Sequence, residues 1–404
     1  MKSSPASISP LESFGKPLFF KVANARELGL LPPATRKGEA LRTWGRSLGR
    51  PVGSMQKEAM VASSRTGNVW RLASDEGPYL MGNNVAPCPL AFLTTGMVAS
   101  FLNQILAFAR SRGIHVRDIR LIQDNYYTMT GSALRGTMRG GALPVELSVE
   151  IDCHAEGGAL ADMVREAITA SPATGLLGAV LDSRFTLTHN GRQIETGRVR
   201  SMGGSAEPDR ANTFDGSIPA EADWTCLLLR AGLTPETGED TSTLGSSLAE
   251  EQNRRLHVRG ICTLRADGLK TIEQHLYNPR GSIFHLLSDE ATVAGGQGRA
   301  PDAATYMSAG IAFCFMTQLG RYAKIVKRDL QDYRIVQDTH FSEGSPGQRG
   351  GADPVETHVY LISDGDDSFA RTALDMSEQT CFLHALCRTP LRTNIAISIR
   401  KDAR

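Results

Sequence analysis

The chain has 404 residues, with 44 lysines and arginines against 43 aspartates and glutamates, so its formal net charge is only +1. Because the two signs are balanced and no long run of one sign occurs, the composition argues against a nucleic-acid partner and against an anionic membrane surface. At roughly 150 residues per domain, this length predicts two well-buried domains.

The N-terminus and the hydropathy pattern indicate in which cellular compartment the protein is expected. Residues 1–10 (MKSSPASISP) lack the apolar core of a signal peptide. No segment approaches the ~20 consecutive apolar residues that a membrane-spanning helix needs. We therefore expect a cytoplasmic protein without a membrane partner.

Seven cysteines are spread thinly over the chain, and none forms a CxxC pair. This pattern argues against a secreted disulfide framework and against a zinc ribbon, so we expect no metal and no other cofactor. In a reducing compartment a cysteine is most often a small buried apolar residue. Cys314 lies inside a strongly apolar run at 300–323, typical of a helix packed on all sides. It is therefore either core filler or part of a reactive site, and the run alone leaves both open.

The first third of the chain predicts an N-terminal extension and a unit of alternating strands and helices. Residues 1–54 are interpreted as the extension, a structural cover in which Arg42–Gly49 is predicted to form a short helix. The unit covers 55–190 and contains a hairpin at 55–74, helices at 89–112 and 159–180, and strands at 116–129, 144–152 and 185–188. Pro172 should interrupt the second helix after Ser171, because proline cannot donate the helical hydrogen bond.

A segment rich in Gly, Ser, Pro and acidic residues at 191–256 predicts a linker, within which the apolar patch at Trp224–Arg230 is expected to dock on a domain. The second unit, 257–404, repeats the plan of the first. It contains strands at 257–264, 271–277, 282–287, 333–341, 358–363 and 394–399, the helix with Cys314, and a helix at 369–386 that carries Cys381. The acidic residues at 364–368 are expected to cap that last helix rather than to bind a metal.

The two units are related by an internal repeat. Val69–Glu76 resembles Ile283–Glu290 at an offset of 214 positions, and the same offset places Gly96 on Gly310. Later in the unit the offset falls to 210. The chain is therefore predicted to be a tandem duplication. In this alignment Ser100 stands at the position of Cys314, and Ser171 at the position of Cys381.

The motifs of the second unit, in their order, resemble the OsmC/Ohr family, the osmotically inducible and organic hydroperoxide resistance proteins. They are Ser-Asp-Glu290, Gly295-Gly296, Ala300-Pro301, Ala309–Phe315 and Glu378–Cys381. The resemblance implies an α+β fold of two OsmC-like domains, each with antiparallel strands around a buried central helix. Because the family's members are intertwined homodimers, it also implies a pseudo-dimer within one chain. The domain with Ser100 and Ser171 would be a degenerate partner.

The resemblance also implies an activity, the thiol-dependent reduction of organic hydroperoxides. Cys314 would attack the peroxide, Cys381 would resolve the sulfenic acid as a disulfide, and an external dithiol would restore both. The alternative is a non-catalytic tandem that binds a small apolar ligand or a protein partner in the same pocket.

The chain departs from the family pattern around the attacking thiol. Catalytic members carry a Glu ten residues before it, which orients an Arg that lowers the thiol pKa. Here that position is Ala304, and the matching position of the first unit is Leu90. Asp302 is a candidate substitute for the Glu. Three arginines are candidates for the cation: Arg259, Arg280 and Arg299.

His384 follows Cys381 by three residues and could share a helical face with it. A base or metal-ligand role is one reading, and a packed or solvent-facing side chain is the simpler one. Ser100 and Ser171 are interpreted as structural, since neither has a nucleophile elbow or a recognisable base nearby.

Overall fold

The structure is a computed structural model that describes residues 9–31, 42–53, 55–153, 157–236 and 246–400. Parts of four predicted segments lie outside the described residues. These are 1–8, 32–41 and 54 of the N-terminal extension, 154–156 of the first unit, 237–245 of the linker and 401–404 of the second unit.

The described residues form a mixed α+β fold. Its helices are α1 (Pro10–Ser13), α2 (Pro89–Ser111), α3 (Gly157–Ala170), α4 (Pro172–Gly178), α5 (Ala303–Ile325), α6 (Asp367–Thr380) and α7 (Phe382–Arg388). Its strands are β1 (Phe19–Lys21), β2 (Arg42–Gly53), β3 (Gln56–Ser63), β4 (Val69–Ser74), β5 (Val116–Ser132), β6 (Arg139–Ala142), β7 (Val145–Cys153), β8 (Arg184–His189), β9 (Arg192–Ile194), β10 (Arg200–Ser201), β11 (Leu228–Leu233), β12 (Glu251–Leu264), β13 (Lys270–Asn278), β14 (Ser282–Ser288), β15 (Leu330–Ser342), β16 (Gly351–Ala352), β17 (Glu356–Ser363) and β18 (Thr393–Arg400).

The strands form two sheets, and each sheet contains strands from the N-terminal half and from the C-terminal half of the chain. The first sheet has the order β1-β4-β3-β2-β15-β17-β8-β10, and the second has the order β11-β14-β13-β12-β5-β7-β18. The parts meet where β2 pairs antiparallel with β15, Gly45 opposite Thr339, and where β12 pairs antiparallel with β5, His257 opposite Tyr126. Strands close in sequence therefore depend on distant ones for their hydrogen bonds.

Two long helices, α2 and α5, pack against each other in the core. Helix α5 also contacts β2, β3 and β15, whereas α2 contacts β5, β12 and β13. The helices approach closely at two glycines. A Cβ on Gly96 would lie 2.6 Å from the carbonyl oxygen of Ala303, and one on Gly310 would lie 2.6 Å from the amide nitrogen of Leu93. By length and composition α2 could cross a membrane, but 83% of its most apolar window is buried inside the protein.

Strand β2 replaces the short helix that the sequence predicted for Arg42–Gly49, so that prediction was wrong. Gly45 and Gly49 disfavour a helix, and here they face α5. A Cβ on Gly49 would lie 2.5 Å from the Met316 sulfur, and one on Gly45 would collide with the Ser308 hydroxyl. The strand is stabilised by its pairing with β15, which lies far away in the sequence.

The second helix of each unit is broken in two. The predicted break at Ser171 is confirmed, because α3 ends at Ala170 and α4 begins at Pro172. The single helix predicted at 369–386 was wrong, because Cys381 adopts an extended backbone (φ −70°, ψ 119°) between α6 and α7. Each break places a small polar side chain at the start of a short helix.

Two smaller predictions are confirmed. The apolar patch in the linker docks on both sheets, since Trp224 packs edge-on against Trp70 at 5.5 Å and β11 pairs with β14. Asp366 caps α6 by accepting a hydrogen bond of 2.8 Å from the amide of Phe369.

Candidate functional site

The structure brings Cys314 and Cys381 together. Cys314 lies in the middle of α5 with 2% of its surface exposed, and Cys381 is fully buried between α6 and α7. Each thiol perturbs the pKa of the other, and both are free cysteines. Two sulfur atoms that are distant in sequence are therefore direct neighbours.

The start of α7 lies beside the thiols. The Nδ1 atom of His384 lies 3.1 Å from the Cys381 sulfur, and its ring is held against Phe315 at 5.2 Å. An imidazole beside a thiol favours the thiolate. His384 is thus a packed residue that also contacts a thiol.

The two thiols have opposite acidities. Burial raises the pKa of the Cys314 thiol well above its usual value, and the interaction with Cys381 adds to that effect. Burial also opposes ionisation of Cys381. There the interactions with Cys314 and with His384 outweigh it and hold the pKa of Cys381 well below its usual value. Cys381 is therefore the thiol that carries negative charge most readily.

Cys314 lines a pocket of about 410 Å³, whereas Cys381 lies behind it. The apolar wall of this pocket is formed by Leu80, Leu90, Leu256, Leu276, Pro279 and Phe382. Its polar groups are Glu76, Tyr79, Arg254, Thr317 and Gln318. An apolar wall with a few polar groups is the character of pockets that hold small organic molecules.

Glu76 supplies the carboxyl group of this pocket from the end of β4. Its two oxygens accept hydrogen bonds from the hydroxyls of Tyr79, at 2.7 Å, and of Thr317, at 2.9 Å. Burial raises the pKa of Glu76 above its usual value. A buried carboxyl therefore lines the Cys314 pocket from a part of the chain that is far from the thiol in sequence.

The candidates named for that carboxyl and for the cation lie elsewhere. Asp302 caps α5, accepts a 2.7 Å hydrogen bond from the Ser63 hydroxyl and, like Ala304, lines a different pocket. The three candidate arginines are paired with carboxylates outside the Cys314 pocket: Arg259 with Asp124, Arg280 with Glu236 and Arg299 with Asp289. The expectation that one of them serves Cys314 was wrong.

A buried lysine is near Cys314 instead. Lys57 of β3 is fully buried, and its ammonium donates a 2.5 Å hydrogen bond to the carbonyl of Met55. Burial lowers its pKa, and interactions with Glu76, Asp75 and Cys314 counteract that change. Lys57 is therefore a basic residue near Cys314 that sequence reasoning did not single out.

A second pocket, of about 380 Å³, surrounds Ser100. Its hydroxyl lies 2.8 Å from that of Ser171, the residue that precedes α4. Glu290 lines this pocket and accepts a 2.6 Å hydrogen bond from Asn103, as Glu76 does from Thr317 in the first. The Ser100 pocket thus repeats the geometry of the Cys314 pocket without thiols.

Sequence reasoning found the thiols but missed Glu76, Lys57 and Arg254. The signal for Glu76 was present, because the Ser-Asp-Glu motif occurs in both units. Lys57 and Arg254 gave no local signal. Within the residues that the structure describes, no group of three or more His, Cys, Asp or Glu side chains could hold a metal ion.

Comparisons with known proteins give little further information. No family model matches the chain, and no curated protein matches it. A solved structure of an OsmC-like hydroperoxide resistance protein from Jannaschia sp. CCS1 is similar to it, with 20% sequence identity over 31% of this chain and 79% of that chain, and a TM-score of 0.20. A likeness this weak carries no functional argument.

Proposed function

We propose that the chain is a fused tandem of the OsmC/Ohr type that reduces organic hydroperoxides through Cys314 and Cys381. The observation that carries the proposal is the interaction between a thiol that lines a pocket and a second, more acidic thiol, whose sulfur lies 3.1 Å from the His384 imidazole. Two observations support the tandem. The strands follow matching orders in the two sheets, and equivalent glycines, Gly96 and Gly310, lie where α2 and α5 meet. We place its domains at 55–190 and 257–404, with a linker at 191–256.

In the proposed first step, the proton of Cys314 passes to the neighbouring Cys381 thiolate. The Cys314 thiolate then attacks the terminal oxygen of the hydroperoxide. A sulfur–oxygen bond forms, the oxygen–oxygen bond breaks, and Cys314 becomes a sulfenic acid. The departing alkoxide takes the proton of Glu76, whose raised pKa favours the protonated form in the same pocket.

In the second step, Cys381 gives its proton to His384 and attacks the sulfur of the sulfenic acid. A disulfide forms, and hydroxide leaves and takes that proton as water. One hydroperoxide, one thiol, one thiolate and the proton of Glu76 thus give one alcohol, one water and one disulfide, and the Glu76 carboxylate then regains a proton from solvent water. An external dithiol must then return two electrons by thiol–disulfide exchange.

The test is a thiol titration of the reduced protein after one equivalent of cumene hydroperoxide. We expect the loss of two thiols and a Cys314–Cys381 disulfide in non-reducing peptide maps. Cys314→Ser should abolish peroxide consumption, and Cys381→Ser should stop at the sulfenic acid, which dimedone traps. Cys226→Ser, at an exposed cysteine outside the pocket, is the matched control and should behave as the parent.

One observation favours a second function, in which the protein binds a ligand but catalyses no reaction. Burial raises the pKa of the pocket-lining Cys314, which slows attack by that thiol. A protein that keeps all its thiols after peroxide treatment, yet binds a small apolar ligand in the Cys314 pocket, would have this function. The balanced charge of the chain supports our further proposal that it acts in the cytoplasm without nucleic acid or membrane.

A further inference from the structure

Each of the two sheets has an outer face, which points away from α2 and α5. On β2 a Cβ on Gly45 would collide with the Ser308 hydroxyl of α5, and on β12 a Cβ on Gly260 would lie 3.0 Å from the Thr94 methyl group of α2. Because side chains alternate along a strand, the residues that follow or precede these glycines point outward. Arg46 and Arg259 therefore lie on the outer faces of the first and second sheet.

The two outer faces have equivalent positions. Arg46 lies directly opposite Asp338 in the first sheet, and Arg259 lies directly opposite Asp124 in the second. Each arginine donates to its aspartate from Nε and Nη2, at 2.7–2.9 Å. The neighbouring ring pairs correspond as well, since they stack at 5.9 Å in the first sheet and at 4.5 Å in the second: Trp44 with His340, and His257 with Tyr126.

The linker covers the outer face of the first sheet. Glu207 accepts hydrogen bonds from Nη1 and Nη2 of Arg46, both at 3.2 Å. Phe214, from the same segment, belongs to a buried apolar cluster with Leu48 and Val336, which lie opposite each other on β2 and β15. A carboxylate and an apolar side chain of one segment thus occupy this face.

The described residues leave the equivalent positions of the second sheet open. The Nη1 atom of Arg259 has no hydrogen-bond partner among them, and 35% of this side chain is exposed. Ile261 and Ile122, which lie opposite each other as Leu48 and Val336 do, are only half-buried. The second sheet therefore presents a free arginine donor beside two partly exposed apolar side chains.

A second arginine of this face also lacks the acid that its counterpart has. By the strand registers, Arg255 of β12 corresponds to Arg42 of β2. Arg42 forms an ion pair with Asp353. Arg255 is exposed and lies over the ring of Tyr126 at 4.2 Å, and no described carboxylate pairs with it. Two carboxylates that the first sheet has are therefore missing from the described part of the second.

A carboxylate at the border of the face does not prevent an acid from binding. Glu146 of β7 lies opposite Asp124, on the side away from β12. In the first sheet Glu356 has the same place beside Asp338, and Glu207 binds there all the same. The first sheet is therefore a valid precedent for the second.

We propose that the outer face of the second sheet docks a partner protein through an extended segment with a carboxylate and a nearby apolar side chain. The carboxylate pairs with Arg259 and Arg255, because the planar fork of arginine matches a carboxylate. The apolar side chain packs against Ile122 and Ile261, as partly exposed apolar patches with a polar rim do at interfaces. This docking does not depend on the thiol chemistry.

A labelled synthetic peptide with the sequence of Ser205–Phe214 is the probe, titrated against the full chain by fluorescence anisotropy. The parent should bind it about tenfold or more tightly than the peptide with E207Q, because a charged hydrogen bond is lost. Arg259→Gln should remove this preference, whereas Arg165→Gln, at an exposed arginine of α3, should keep it. Ile261→Ser should weaken both peptides. Equal or undetectable binding of the two peptides to the parent would overturn the proposal even if the variants fail to fold.

Other occupants of the face give different results. Glu239 and Asp240 lie outside the described residues. If they occupied the face, E239Q/D240N would bind the peptide more tightly than the parent, and the proposal would fail; unchanged affinity supports an open face. If a second copy of the chain occupied it, sedimentation would show a dimer that Arg259→Gln dissociates, and the proposal would fail as well. A sedimentation coefficient that Arg259→Gln leaves unchanged supports a different partner.

Discussion

The hydroxyl oxygens of Ser100 and Ser171 lie 2.8 Å apart, at the two positions that align with Cys314 and Cys381 in the sequence. Ser171 directly precedes α4, as Cys381 directly precedes α7. Ser171 accepts a hydrogen bond from the amide of Ala173, whereas the Cys381 side chain makes no such bond to the start of α7. The two sites thus place their side chains similarly, with oxygen in one and sulfur in the other.

This geometry predicts that the double variant S100C/S171C gains a second bridgeable thiol pair. We expect diamide to form a disulfide between the two introduced cysteines, because the side-chain atoms at these positions are already in contact. Non-reducing peptide mapping measures it. The single variant S100C should stay reduced under the same dose, and a free thiol pair in the double variant would contradict the equivalence of the two sites.

A second prediction concerns His384 as a positioning residue that acts through Cys381. Its interactions lower the pKa of Cys381, so in the parent protein this thiol ionises well below the usual pH range. His384→Asn should shift that ionisation to higher pH, measured as thiolate absorbance at about 240 nm against a Cys381→Ser blank. His285→Asn, at a half-buried histidine on β14, serves as the control. An unshifted titration in His384→Asn would rule out this role.

The close approach of α2 and α5 predicts a large cost for a single methyl group. Gly310→Ala should lower the free energy of unfolding by about 1–3 kcal/mol, because its Cβ would press on the backbone of Leu93. Gly158→Ala, on α3 with no atom within 4 Å of the added carbon, should leave stability unchanged or higher. Urea denaturation compares the two, and equal midpoints would show that the helices can separate freely.

Where β12 pairs with β5, the Asp124 carboxylate is predicted to make a pH-dependent contribution to the free energy of unfolding. Burial opposes its ionisation, but hydrogen bonds from His257 at 2.6 Å and from Arg259 at 2.8 Å prevail and lower its pKa. Because the pKa in the folded state is below that of the unfolded chain, this stabilisation is complete above the unfolded pKa. It is lost as the pH falls through the folded pKa.

Asp124→Asn should therefore lower the free energy of unfolding by about 1–3 kcal/mol at about pH 7, and the difference should shrink below about pH 4. Asp118→Asn, at an exposed position on the same strand, should cost less than about 1 kcal/mol. Denaturation at both pH values measures these differences, and a pH-independent difference at Asp124 would contradict the ion-pair explanation.

The sequence predicted the parts of the fold that depend on local pattern. Helices α2 and α5 follow from long apolar runs, and the break at Ser171 follows from Pro172. Strand β2 could not be predicted locally, because its glycines are explained only by α5 and its hydrogen bonds only by β15. A local sequence pattern contains no information about either α5 or β15.

The same distinction holds at the site. The pairing of Cys314 with Cys381 came from the resemblance to a family, since nothing in their spacing brings them together. Glu76 lies just after β4 and Arg254 lies on β12, and the arrangement of the two sheets brings both to the Cys314 pocket. A rule that counts residues back from the thiol therefore pointed to Ala304, which lines the other pocket.

The pairing of β2 with β15 has a consequence during translation. The carbonyl of Gly45 meets the side chain of Thr339 across a separation of 294 residues. At about 5–20 residues per second, a ribosome needs about 15–60 s to make the intervening chain. Throughout that interval the edge of β2 that later pairs with β15 has unpaired backbone groups. The nascent polypeptide must therefore be protected from aggregating with other nascent chains through this edge.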